Sequence, residues 1–302
     1  MRRVYLDHAA TTPVDPDVAQ AMARVLRDVA GNPSSLYAEG RAARSLVDQA
    51  RQQVAAALGA RTGEIVFTSG GTEADNLALR GVLKAREGEA DGLVVSAIEH
   101  HAVLDTAGDL EAHGLARVTR VAVDRDGLVD ATDVARALDE RTALVSIMHA
   151  NNEIGTIEPI DEIGRICRER GVPFHSDAVQ TVGILPFDVR RTPVDLVSIN
   201  AHKFYGPKGV GALYVREGTR VATMQTGGGQ EKGRRTGTEN VPAIVGLGVA
   251  MRLASQRRER DARRLAELRD RAIEGIRARV PDALLTGHPT RRLPNNASFC
   301  FP

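Results

Sequence analysis

Lys203 closes an apolar run, in Ser198-Ile199-Asn200-Ala201-His202-Lys203-Phe204-Tyr205-Gly206-Pro207. A lysine leaving a buried strand is partly desolvated, which favours the neutral amine and lets it attack carbonyls to form a Schiff base. A second apolar segment ends in His175-Ser176-Asp177-Ala178-Val179-Gln180 and sets Asp177 at a neighbouring strand end. A buried aspartate in that place is the counter-ion a pyridinium nitrogen needs. Lysine plus aspartate is the protein's half of pyridoxal phosphate (PLP) chemistry. Alone, each has an ordinary alternative: a solvated surface lysine, or an aspartate that caps a helix or pairs with an arginine.

A phosphate cradle has a candidate in Ile65-Val66-Phe67-Thr68-Ser69-Gly70-Gly71-Thr72-Glu73-Ala74-Asp75-Asn76. The glycines permit a tight turn and close approach of the backbone to a ligand. Thr72 stands where a helix should begin, and a helix N-terminus favours an anion. The G-x-x-x-x-G-K-[ST] spacing of a Walker loop is absent. Two further polar clusters follow apolar runs, Ser96-Ala97-Ile98-Glu99-His100-His101 and His149-Ala150-Asn151-Asn152-Glu153-Ile154-Gly155. Thr72, His100, Asn152, Asp177 and Lys203 thus mark strand ends, where ligands collect in an open parallel sheet. His100, His101 and His175 do not make a metal site by spacing, since adjacent histidines point apart and no compact Cys/His pattern accompanies them.

The elements that must position these residues alternate between helix and strand. Val18, Met22, Val25, Leu26 and Val29 outline one helical face; Leu46, Val47, Ala50, Val54 and Leu58 outline another, stopped by Gly59. Short buried strands are expected at Ile65–Phe67, Leu93–Val95, Val118–Val123, Leu144–Met148, Val172–His175, Leu196–Ile199 and Gly211–Val215. This is the pattern of an α/β protein with a mostly parallel central sheet and helices on both faces. A long helix carrying Leu265, Leu268, Ala272 and Ile276 leads into a new segment, so the change of domain is placed near Ala254. The reading gives a large domain over 13–254 and a small one from 1–12 and 255–302.

With 302 residues and 42% apolar composition, core material is ample. A net charge of +1 gives no reason to propose nucleic acid or a membrane as partner. Two cysteines and no secretory leader point to a reducing compartment, with the cytoplasm as the expected location. Cys167 reads as a small buried hydrophobe on a helix, and Cys300 as packed within an Ala297/Phe299/Phe301 strand pattern.

Over essentially its whole length the chain resembles the cysteine desulfurases of the NifS/IscS type, in the class V aminotransferase group of fold-type-I PLP enzymes. The matching motifs are Tyr5–Pro13, Gly31-Asn32-Pro33-Ser34-Ser35, Thr68–Asn76, Glu99-His100, Asn151–Gly155, Asp177–Gln180, His202-Lys203 and Gly227–Asn240. The resemblance implies that Lys203 carries PLP and shuttles the Cα proton, with Asp177 on the pyridine nitrogen. It implies Gln180 on the phenolic oxygen, and His100 against the ring face and in proton transfer. Gly71, Thr72 and His202 would hold the phosphate, and Asn152 would lie near the phenolic oxygen and the substrate carboxylate. Thr238 would reach the phosphate of a neighbouring subunit, which makes a homodimer the expectation. At Asn200 the family usually has serine; the asparagine amide can still donate a hydrogen bond to phosphate.

The implied substrate is L-cysteine or an analogue, and the implied partner is a protein that accepts sulfur. The family's nucleophilic cysteine, on a mobile loop, comes some tens of residues after the strand resembling Asn295–Phe301, and its carboxylate-binding arginine also lies beyond that strand. The sequence ends at Pro302. The expectation is therefore an incomplete small domain, with the source of the thiol left open. Two other readings stay open: a selenocysteine lyase or other β-eliminating PLP lyase, and a PLP-binding scaffold without turnover.

Overall fold

The computed structural model describes residues 3–302. A seven-stranded sheet is built from β1 (Ile65–Thr68), β2 (Gly92–Ser96), β3 (Arg117–Val121), β4 (Thr142–Ser146), β5 (Phe174–Asp177), β6 (Leu196–Asn200) and β7 (Gly211–Val215), in the order β1-β7-β6-β5-β4-β2-β3. Only β7 runs against the others. The other strands send their carboxyl ends to one edge of the sheet, which is where the chemistry-bearing residues fall.

The strands read as nearly continuous apolar runs because both faces are covered. Ile65, Phe67, Val145, Phe174, Val197 and Ile199 pack with α1 (Pro16–Asp28), α2 (Ala38–Leu58), α6 (Ile160–Glu169) and the start of α7 (Val241–Arg279). Val66, Leu93, Val95, Leu144, Leu196 and Leu213 face α3 (Gly71–Ala85) and α4 (His101–Ala112) instead. The remaining helix, α5 (Ala131–Ala137), packs beside α6. Each fully buried leucine or isoleucine here contributes about 1.5–3 kcal/mol of apolar transfer.

The expected helical faces form, with two adjustments. Leu26 stands one position round from Val25 and is exposed, and Val29 follows the end of α1. Gly59 stops α2 in a left-handed conformation at φ 69°. The strands after Leu144 and Val172 are shifted by about two residues from the apolar runs. Backbone pairing nevertheless continues past β4, where Ile147 N donates to His175 O (3.1 Å) and His149 N to Asp177 O (2.9 Å). Ala254 falls inside α7, which is unbroken from Val241 to Arg279. The helix is buried through Leu253 and mostly uncovered beyond, where Ile273 is the one buried residue.

A two-stranded ribbon, β8 (Leu284–Leu285) with β9 (Phe299–Cys300), follows α7. Arg292 ties this segment to the loop carrying Asn152. Its guanidinium donates to Ile154 O, Thr286 O and Asn296 Oδ1, each at 3.1 Å. Gly155, at φ 77°, leaves room for Asn296; a Cβ there would stand 2.5 Å from the asparagine side chain.

Candidate active site

Strand register places the first pair. Asp177 ends β5 and is aligned with Ser198 of β6, which runs two residues further before a short turn, Ala201–Lys203, brings Lys203 over the strand end. The turn is tight: Tyr205 adopts the left-handed region at φ 64°, and a Cβ on Gly206 would stand 2.7 Å from that of Ala201. Strain of this kind persists only where surrounding contacts hold it. Those contacts come from the N-terminal segment. Thr12 N donates to His202 O (2.9 Å), and Tyr205 N donates to Thr12 Oγ1 (2.7 Å).

The Lys203 amine donates to the carbonyls of Ala9 and, at 2.9 Å, Ala10. Burial pushes its pKa below the ordinary lysine value, and Asp177, Asp7 and Glu153 pull it partly back. Asp177 is only 7% exposed and accepts Val179 N–H at 2.9 Å. Burial raises its pKa, against the hydrogen bond from Val179 and the opposing charges of His100 and Lys203. The amine and the carboxylate therefore act on each other electrostatically across adjacent strand ends, each favouring the charged form of the other.

The phosphate-type cradle sits beside them. Helix α3 starts at Gly71 after Gly70, which is extended. A Cβ on Gly71 would come within 3.0 Å of Val179 Cγ2 and 3.4 Å of Asn200 Nδ2, so this approach is close. Asn200 therefore lies against the helix N-terminus, and its buried Oδ1 has no protein partner. The His202 ring is anchored by Nδ1 on Thr11 Oγ1 (3.1 Å). Burial, Lys203 and Lys208 push its pKa down to about 4, which leaves it neutral at pH 7.

Other expected residues take places around this centre. His100 caps α4 by accepting Ala102 N–H on Nδ1 at 3.0 Å, which leaves the hydrogen on Nε2. Gln180 donates to Ala9 O (3.0 Å), sharing that carbonyl with Lys203. Asn152 is half-buried and bonds to Glu153, whereas Asn151 holds the loop through Ile98 O (2.8 Å). Thr238 stands apart from Lys203. It is exposed and lines a cavity of about 140 Å³ with Thr68, Ser69 and Arg235. Lys203 and Gln180 open instead onto a cavity of about 480 Å³ bounded by Tyr205, Arg257, Leu268 and Ala297.

Sequence reasoning missed the carbonyls of Ala9 and Ala10, which no side-chain pattern announces, and the buried group Asp75, His175 and Glu99. Polar residues inside apolar runs were the available signal for the latter. Cys167 is buried as expected, and burial raises its thiol to about 12. Cys300 is a correction: it lies on β9 but is exposed, because its side of the two-stranded ribbon carries no packing element among the described residues.

The residues present fit PLP. The Asn200 amide nitrogen set against Gly71, a side-chain-free helix N-terminus and the His202 ring supply one end. Asp177 and Lys203 supply the other, with Val179 packed between them and Gly71.

Comparisons with known proteins agree with this geometry. Residues 4–302 match the model of the class-V aminotransferase family. A cysteine desulfurase IscS of Dictyoglomus turgidum is 50% identical over 300 residues, 99% of this chain and 76% of the relative. A Clostridium botulinum protein of the same description is 47% identical over 302 residues, again across 76% of its length. Among solved structures, a NifS-like protein superposes with a TM-score of 0.94 at 40% identity, over 97% of this chain and 80% of that one. A structure described as SspA in complex with cysteine gives 0.80 at 43% identity, over 82% and 72%. The chain thus belongs to the class-V aminotransferases as a PLP-dependent, cysteine desulfurase-like protein.

Proposed function

We propose that this chain binds PLP between Asp177, Lys203 and the start of α3, and removes sulfur from L-cysteine to leave alanine. The observation that carries the reading is the half-dry Lys203 amine set electrostatically against buried Asp177 at adjacent strand ends. The cysteine seen with SspA supports the choice of substrate.

When bound, PLP supplies an electron sink for the pair left at a substrate α-carbon. Lys203 carries the cofactor and takes the Cα proton, a role suited to an amine whose pKa burial has lowered. Asp177 holds the positive charge on the pyridine nitrogen. Gly71, Thr72, Asn200 and His202 would hold the phosphate through N–H donors, and Gln180 would donate to the phenolic oxygen. His100 would lie against the cofactor ring, and Asn152 would orient the substrate carboxylate. An acceptor thiolate would attack the substrate sulfur, forming the S–S bond of a persulfide as the Cβ–S bond breaks; the electron pair left on carbon takes up protons and becomes the methyl group of alanine. A sulfur-acceptor protein takes the persulfide sulfur onward.

The proposal extends to assembly. Thr238 lies outside the Lys203 cavity and is exposed, which suits a homodimer in which it reaches the neighbour's phosphate. We divide the chain inside α7 near Ala254, giving a large domain over 13–254 and a small one from 1–12 and 255–302. No helix of the described residues is long and apolar enough to cross a membrane. Two free thiols suit a reducing compartment, and we place the protein in the cytoplasm.

Alanine formation from L-cysteine by the PLP-loaded chain, with a reductant present, tests the reading. Alanine above a Lys203→Ala control supports it, and a parallel Cys300→Ser assay tells whether that exposed thiol receives the sulfur. Activity on selenocysteine or cystine with none on cysteine would replace it with the β-eliminating lyase.

A further inference from the structure

A polar row crosses the α3-facing side of the sheet, in a layer that is otherwise apolar. Ser146 of β4, His175 of β5 and Ser198 of β6 are neighbours in it, and each is fully buried. The His175 ring joins the two hydroxyls, with Nδ1 2.8 Å from Ser146 Oγ and Nε2 3.0 Å from Ser198 Oγ. Asp75, one turn into α3 and 1% exposed, aims its carboxyl at this ring. Asp75 Oδ1 stands 3.6 Å from His175 Nε2, outside hydrogen-bond range, and has no partner.

His175 is two residues before Asp177 on the same strand, so both side chains leave the sheet on the same face. Asp75, Asp177 and Glu99 act on one another electrostatically, and the groups of opposite charge that reach Asp177 are His100 and Lys203. Among the described residues no lysine or arginine reaches Asp75, and the basic group beside it is the His175 ring itself. Ser198 gives Asp75 one hydrogen bond, but a second carboxylate in so dry a place would still cost several kcal/mol without a cation, and buried carboxyls that act on one another do not all ionise.

We propose that Asp75 and His175 form an uncharged layer beneath Asp177, with Asp75 a protonated acid, so that the negative charge of this buried group is confined to Asp177. The pair is a positioning device: it fixes where the one charge opposite the ring nitrogen resides, without touching the cofactor. This rests on the assignment of Asp177 to the ring nitrogen given above. The directions of titration agree, with Asp75 pushed well up by burial and by Asp177, and His175 pushed down to about 3 by burial. Glu99, pushed up to about 8, belongs to the same uncharged surroundings.

Infrared spectra of the folded, cofactor-free protein at pH 7 test this directly. Asp75→Asn should remove the carbonyl stretch of a protonated carboxylic acid; loss of carboxylate bands instead overturns the proposal. Carboxyl-carbon NMR of aspartate-labelled wild type needs no variant. One aspartate should remain protonated through pH 7 before and after PLP is added, and finding none overturns the proposal. PLP titrations separate the two layers: Asp177→Asn should bind at least tenfold more weakly than Asp75→Asn. Equal losses would mean that Asp75 carries charge and would end the proposal. If neither variant loses affinity, the Asp177 assignment fails, and the acid band alone still decides the state of Asp75.

Discussion

The floor of the site and its rim are built in opposite ways. The floor, Asp177 with Asp75, His175 and Glu99, comes from β5, one helix and the turn after β2, is dry, and is held largely by sheet register. The rim, Lys203, Gln180, His202 and Asn152, is half-exposed and borrows its partners from residues distant in the chain. Ala9, Ala10, Thr11 and Thr12 hold Lys203, Gln180, His202 and Tyr205, and Arg292 steadies the loop carrying Asn152. The floor can therefore tune charge, because water does not relax it. The rim can move groups, because loops and a terminal segment hold it.

The rim is firm in one place. Glu231 sits in the left-handed region at φ 47°, followed by Lys232 at φ 59°. A buried pair holds this turn: Arg51 meets both Glu231 oxygens at 2.8 and 2.7 Å, and Phe67 N donates to the same carboxylate at 2.9 Å. The loop leading to Thr238 is thereby fixed to β1.

The sharpest way to separate floor from rim is to remove the rim's lysine. Lys203→Ala should lower alanine formation by about 10²–10⁴-fold and abolish the absorbance of covalently held cofactor, while urea unfolding of the cofactor-free protein stays near wild type. A large loss of stability instead would place Lys203 in the scaffold. Arg51→Met should strand a buried carboxylate and destabilise the fold by about 3–5 kcal/mol in urea. Arg51→Met with Glu231→Leu should recover much of that; if it does not, the pair is not what anchors the loop.

The floor should be visible in the pH dependence of melting. Burial raises Glu99 to about 8 and Glu158 to about 7, so the folded chain holds protons that the unfolded chain gives up near the ordinary glutamate value. Their contribution is complete below that ordinary value and is lost as pH rises through 7 to 8. Buried His149 and His202, pushed down to about 4, act on the acid side. They stay neutral in the folded chain while the unfolded one takes up protons, so stability falls as pH drops below about 6.5. Glu99→Gln should flatten the decline in Tm between pH 6.5 and 8; an unchanged slope means Glu99 is ionised in the fold.

The smallest effect belongs at the start of α1, where Asp15 and Arg257 line the Lys203 cavity. Asp15 caps α1 on Asp17 N (2.9 Å) and meets Arg257 at 2.7 Å. Asp15→Ala should cost about 1 kcal/mol, mostly from the cap, and Arg257→Ala less, because that pair is partly solvated. Equal costs would put the weight on the ion pair.

Much of this arrangement was legible beforehand. Runs such as Leu196–Ile199 and Gly211–Val215 gave their strands because both sheet faces are covered, so apolar continuity and strand coincide. Gly59 stopped its helix because a left-handed residue was needed there. The places of Lys203 and Asp177 past neighbouring strands were readable because a charged residue closing an apolar run must leave the sheet at its end. Cys300 was misjudged because alternation marks a strand but not what covers each side of it. The backbone carbonyls that receive the Lys203 amine were invisible, since every residue carries one and only the path of the chain selects two.

Residue types and their spacing determined the α/β class and the placing of a lysine and an aspartate past neighbouring strands, because periodicity and desolvation act locally. Tertiary structure alone decided which partners meet. The N-terminal segment reaches Lys203 across some 190 positions, and Thr238 falls outside the Lys203 cavity. Asp75 comes to face His175 only after α3 docks on the sheet. Such contacts depend on how distant segments pack, and a side chain's protonation follows from the water that packing excludes.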